Sequence, residues 1–233
     1  MLIFLPGLIC DASMYAPQTK AFADSHAVDS YGMADSLVEM ARIALSDADR
    51  LGADQFDLFG HSMGGRVALE VFRLAPERVR RFALVSTGIH PLKEGEPASR
   101  EKLKQVGYDN GYEALVDSWL PPMVADANRA KPEVYDPMRA MCLAMGQDVF
   151  DAQIKALVTR PEVDSLLPQI TCPTLVMTGA LDQWAPPAQH EQIAAKIPNS
   201  QLVIVEGAGH MIQLEAPDAV NEAINRWLAT PVG

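Results

Sequence analysis

Phe56-Asp57-Leu58-Phe59-Gly60-His61-Ser62-Met63-Gly64-Gly65 is the stretch on which the fold turns. Phe56 to Phe59 is a short apolar run closed by glycine, the mark of a buried strand. Arg66 to Leu74 then sets Val67, Ala68, Val71 and Phe72 at the spacing of one helix face, and Ala75-Pro76 ends it. A strand, a glycine-flanked turn and a helix thus follow one another with no spacer. The same rhythm recurs along the chain. Leu2 to Leu5, Phe82 to Val85, Thr174 to Met177 and Leu202 to Val205 are further apolar runs, with His26 to Tyr31 a weaker sixth. Leu37, Met40, Ala41, Ala44 and Leu45 mark another buried helix face. Strand then helix, repeated, predicts an α/β fold of about six parallel strands covered by helices on both faces.

That rhythm breaks from about Gly88 to Gln169, where helical segments succeed one another and prolines punctuate them. The expected organisation is an α/β core from residues 1–87 and 171–233 with a helical cap, 88–170, inserted into it. A chain of 233 residues suffices for one such core. Its 48% hydrophobic and 21% charged residues are ordinary for a globular protein, and no apolar run approaches the roughly 18 residues that span a bilayer. Met1 to Gly7 is apolar but lacks the positive flank and cleavage site of a secretory signal, and reads as a first strand. The net charge of -11 disfavours nucleic-acid and anionic membrane partners and leaves a small-molecule substrate as the expected partner. Cys10, Cys142 and Cys172 are widely spaced, with no C-x-x-C or histidine pairing, which predicts reduced thiols and a cytoplasmic location.

Gly60-x-Ser62-x-Gly64 lies where a strand passes sharply into a helix. A nucleophile held at such a turn is strained, and side chains two residues away on either side would collide with it. The helix start also points free amides and the positive end of its dipole at the site, where an oxyanion would form. A serine hydroxyl needs a base. Of the five histidines, His61 is turned elsewhere by the bend, His26 leads into an early strand, His90 enters the cap, and His190 lies in a helical stretch. His210 alone sits in a glycine-rich loop, Glu206-Gly207-Ala208-Gly209-His210, directly after the last strand. The acid that orients it should come from another strand end on the same edge, and Thr174 to Asp182 provides Asp182, whereas Glu206 precedes His210 too closely.

These motifs, in this order and over nearly the whole chain, resemble the α/β-hydrolase superfamily, small esterases and enol-lactonases in particular. The resemblance implies an oxyanion hole made by the backbone amides of Leu8 and Met63. Pro6-Gly7 stands before Leu8 where many members carry His-Gly. The chain also opens at the oxyanion strand, so the usual first two strands are expected to be missing. The implied activity is serine hydrolysis of a small carboxylic ester, lactone or thioester through an acyl-enzyme, using no metal or organic cofactor. Carbon-carbon bond hydrolases and cofactor-free haloperoxidases or perhydrolases fit the same motifs. A ligand-binding receptor on this fold is a further alternative, against which the intact Ser62, Asp182 and His210 argue.

Trp119, ahead of Pro121-Pro122, and Trp184, beside the acid, are candidate walls of a substrate pocket. Met138, Met141, Cys142 and Met145 share one helix face, which either lines an acyl pocket or packs the cap onto the core. Met141 and Met145 are carried as candidate substrate contacts. Cys10 reads as a small pocket-lining residue, and the charged run Lys93 to Lys104 as a solvated helix face. The cap is expected to set substrate choice without supplying essential catalytic groups.

Overall fold

The fold is given by a computed structural model that describes residues 1–232; Gly233, the last residue of the expected core, lies outside them. The apolar runs become six strands: β1 (Leu2–Leu5), β2 (Ser25–Ala27), β3 (Phe56–His61), β4 (Val79–Val85), β5 (Thr174–Gly179) and β6 (Ser200–Val205). They pair in parallel in the order β2-β1-β3-β4-β5-β6. Strands β1, β3 and β5 are buried at every position, because helices cover both faces, and this is why they read as continuous apolar runs. Strand β6 lies at the edge and is only partly covered. Strand β2 is shorter than its apolar stretch: Val28 still donates to Phe4, but the Asp29 carbonyl turns to accept from Ala12.

The helices are α1 (Ala16–Ala21), α2 (Leu37–Arg50), α3 (Met63–Leu74), α4 (Glu96–Asn110), α5 (Tyr112–Trp119), α6 (Asp126–Arg129), α7 (Pro132–Met145), α8 (Gln147–Val158), α9 (Pro187–Ala194), α10 (Ile212–Glu215) and α11 (Pro217–Leu228). Ser36 caps α2 by accepting from the Glu39 amide, and Leu37, Met40, Ala41, Ala44 and Ala48 form its buried face. Helix α3 begins at Met63, three residues before the expected Arg66, because Gly64 and Gly65 are themselves helical. They are glycine for want of space: a Cβ on Gly64 would stand 2.2 Å from the Leu5 carbonyl oxygen, and one on Gly65 would stand 2.8 Å from Thr87.

Helices α4 to α8 all fall between β4 and β5, with no strand among them. Gly111 and Gly146 take φ values of 91° and 83° at the breaks that let one helix succeed the next. Leu115, Met138, Cys142 and Phe150 from these helices join the same buried cluster as the sheet. Register then positions the site. Leu5 lies opposite Gly60, His61 opposite Val85, Val85 opposite Met177, and Gly179 opposite Val205. The carboxyl ends of β1, β3, β4, β5 and β6 therefore finish together, and the loops that leave them meet at one edge.

Candidate active site

Ser62 follows β3 and precedes α3, with φ 54° and ψ -117°, a conformation that a non-glycine residue holds only under strain. The surroundings fix it there. Its amide donates to the Val85 carbonyl, and its own carbonyl accepts from the Gly65 amide and the Thr87 hydroxyl. A Cβ on Gly60 would lie 2.4 Å from the Gly64 carbonyl oxygen, so the flanking glycines make the turn sterically available. The side chain is left pointing into the cavity above the sheet edge.

The loop after β6 brings His210 to it, with Nε2 2.8 Å from Ser62 Oγ. The loop after β5 brings Asp182, whose Oδ2 lies 2.8 Å from His210 Nδ1. Asp182 Oδ1 accepts from the amides of Trp184 and Ala185, each at 2.9 Å. Burial pushes the Asp182 carboxyl up, but the His210 ring and these amides outweigh it and hold the group at about 2. An ionised Asp182 keeps the imidazole proton on Nδ1 and leaves the Nε2 lone pair facing the serine hydroxyl. The structure thus brings together the three side chains singled out from sequence.

Leu8 and Met63 line the same cavity as Ser62 and His210. The Leu8 amide makes no backbone hydrogen bond among the described residues, and the Met63 amide is the first of α3, without a partner one turn earlier. Ile9, with φ 48°, is a strained β-branched residue next to Leu8, and its amide is held by Gln153 Oε1 of α8 at 2.7 Å.

Two supporting residues were not legible in the sequence. Glu215 of α10 accepts four hydrogen bonds, from the amides of Gly209 and Met211 on either side of His210, from the Ala125 amide, and from Asn128. The His210 amide itself donates to the Met123 carbonyl at 2.7 Å. His61, fully buried, bonds the His210 carbonyl through Nε2 at 2.8 Å; burial and the neighbouring His210 lower it to about 3, so it stays neutral and donates.

The remaining expectations divide. Trp119 and Trp184 line the cavity. Met141 and Met145 do not: Met141 faces a separate depression with Pro137 and Leu214, and Met145 packs against the core. Their shared helix face turns toward the protein interior, not toward Ser62. Cys10 is likewise core, its thiol near the Leu8 carbonyl and raised by its contact with Cys142 and by burial. The run Lys93 to Lys104 is only partly solvated, because Glu96 and Arg100 turn inward and line the cavity together with Arg66, His90 and Arg160.

A hydrolase of Klebsiella pneumoniae named for 2-hydroxy-6-oxononadienedioate and 2-hydroxy-6-oxononatrienedioate is 26% identical over 85% of this chain and 73% of its own length. A polyketide synthase of Burkholderia thailandensis is 27% identical over 97% of this chain, which spans only 12% of that protein. Among solved structures, a thermophilic esterase from Thermogutta terrifontis superposes with a TM-score of 0.87 at 27% identity, covering 97% of this chain and 88% of that one. The sequence pattern of the alpha/beta hydrolase family matches residues 2–223, in keeping with the parallel sheet and its Ser62 turn, and the chain belongs to that family of hydrolases.

Proposed function

We propose that the protein is a serine hydrolase of small carboxylic esters, lactones or thioesters, with Ser62 as nucleophile, His210 as base and Asp182 as the acid that orients it. The observation that carries this reading is the unbroken chain of two 2.8 Å contacts from Asp182 through His210 to Ser62. Ser62 Oγ attacks the substrate carbonyl carbon while its proton passes to His210 Nε2. The amides of Leu8 and Met63 receive the developing oxyanion. Collapse breaks the bond to the leaving group, which takes the proton back from His210. A water molecule, deprotonated in turn by His210, then releases the acid and restores Ser62.

Residues 88–170 act in this reading as a cap that shapes the pocket above the core. Free Cys10, Cys142 and Cys172 support a cytoplasmic setting. Among the described residues, no helix is long and apolar enough to cross a membrane. Carbon-carbon bond hydrolysis on the same three residues is the second reading, supported by the Klebsiella relative. Run beside a 2-hydroxy-6-oxo dienedioate as the carbon-carbon substrate, a panel of small alkyl esters, lactones and acyl thioesters of graded length decides between them. Turnover of at least one of these classes is expected, and a chain that leaves all of them intact while cleaving a carbon-carbon bond would overturn the first reading.

A further inference from the structure

Arg66 is 95% buried, being only 5% exposed, one helical turn beyond Ser62 on α3. Its one hydrogen bond runs from Nη2 to the His90 carbonyl at 2.6 Å, and no carboxylate pairs with it. Glu70, the nearest acid on its own helix, is engaged by Arg73 at 3.0 Å. Glu96 is gripped by Arg160 at 2.6 Å and lies 3.6 Å from Arg100. Arg160 spends its remaining donors on the carbonyls of Leu157, Pro91 and His90. Arg100 lies over the Trp184 ring, 5.5 Å from its centre, and faces the same cavity. The lining thus carries three guanidiniums against one carboxylate, in a chain whose net charge is -11.

A buried cation without a counter-ion is costly, and proteins retain one where a ligand supplies the missing charge. Burial first, and then the Arg160 charge, lower Arg66 to about 9 against the more distant pull of Glu96 and Glu70, neither of which pairs with it, and this leaves it cationic at neutral pH. Its planar fork suits the two oxygens of a carboxylate. Ser62 and Arg66 open into one cavity of about 100 Å³, so a single short molecule can place its scissile carbonyl at Ser62 and an anion at Arg66.

We infer that the substrate carries a carboxylate, bound by Arg66 and Arg100 while Ser62 reaches the scissile carbonyl. This rests on the serine-hydrolase reading for its chemistry and adds the substrate class. Arg66 and Arg100 are binding residues in it, while Arg160 and Glu96 form the ion pair that holds the wall behind them.

The test compares ethyl butyrate with two esters that add a carboxylate: monoethyl glutarate, charged on the acyl side, and the butyrate ester of glycolate, charged on the alcohol side. At least one should exceed ethyl butyrate by tenfold or more in kcat/KM. That ratio should fall toward one in Arg66→Gln, fall less in Arg100→Gln, and recover in part in Arg66→Lys. Calorimetry with glutarate provides a readout independent of turnover: it should bind wild type, and neither glutaramide nor Arg66→Gln should show binding. Equal use of charged and neutral esters by an enzyme that takes a phosphonate on Ser62 would overturn the carboxylate site and leave the serine reading intact. Failure of both labelling and ester turnover would remove the serine reading. Glutarate binding that needs Arg66 would then still uphold the site, and its absence would end it. Tighter binding of inorganic phosphate than of glutarate would contradict the carboxylate assignment.

Discussion

At Ser62 the backbone holds a conformation that costs on the order of 1–3 kcal/mol for a non-glycine residue, and the two hydrogen bonds to its carbonyl show what enforces it. Such strain is written locally, in the glycines that must clear the turn, so Ser62 was readable from ten residues of sequence. His210 and Asp182 were readable for a related reason, since each stands just past a strand end, where parallel sheets gather their loops. Arg66, Glu96 and Glu215 left no such trace. What they do depends on what folds against them, and an arginine in an amphipathic helix looks the same whether it meets water or a cavity. Glu215 is the clearest case, because its carboxylate clamps both amides flanking His210. Glu215→Gln keeps the shape but sets an NH2 group against amide donors. We expect kcat to fall by roughly 10- to 100-fold with KM little changed, as a base displaced by about 1 Å would produce. Circular dichroism should show a folded protein, and an unchanged kcat would remove Glu215 from the positioning of His210.

Among the elements, the central strands are legible in the sequence because burial on both faces makes them uniformly apolar, whereas β2 is shorter than its apolar stretch. Past Ala27 its apolar residues Val28 and Tyr31 stay buried in a loop that is not paired along its length. Helix α3 starts earlier than its apolar spacing indicates, since glycine weighs against helix while its two glycines are demanded by contacts with Leu5 and Thr87. A periodic apolar stripe says that a helix is buried, not which neighbour it meets, and this is why Met141 and Met145 lie away from Ser62. The charged run Lys93 to Lys104 shows the converse, since a helix has two faces and the inner one here holds Glu96 and Arg100. Helices α5 to α8 supply none of Ser62, Asp182 or His210. Yet Met123 and Ala125 hold the His210 loop, and Gln153 of α8 holds Ile9. The segment expected to set substrate choice without supplying essential catalytic groups thus also supports both loops that meet at Ser62.

For the molecule as a whole, two buried histidines link folding to pH. Burial lowers His61 to about 3 and His190 to about 4, against 6.5 when unfolded. Because the folded values are depressed, the unfolded chain takes up these protons first. Their contribution is complete above about pH 6.5 and is lost as pH falls toward 4, by about 2 kcal/mol each at pH 5. Asp182 and Glu96, both held at about 2, begin to weaken the fold as pH falls through the ordinary carboxylate range, where the unfolded chain takes up those protons, and their contribution is lost toward pH 2. The urea midpoint should therefore drop between pH 7 and pH 5. In His190→Gln, which lowers stability at pH 7, the further drop to pH 5 should be smaller; an identical drop would mean that His190 is protonated without cost in the fold. The central claim, that Ser62 is a nucleophile driven by His210 and Asp182, is tested most directly by intact-mass measurement after exposure to a serine-directed phosphonate. Wild type should gain one phosphonyl adduct, mapped to Ser62, and Ser62→Ala should gain none while remaining folded; an adduct that persists in Ser62→Ala, or that maps to Cys10 or any other residue, would contradict the account.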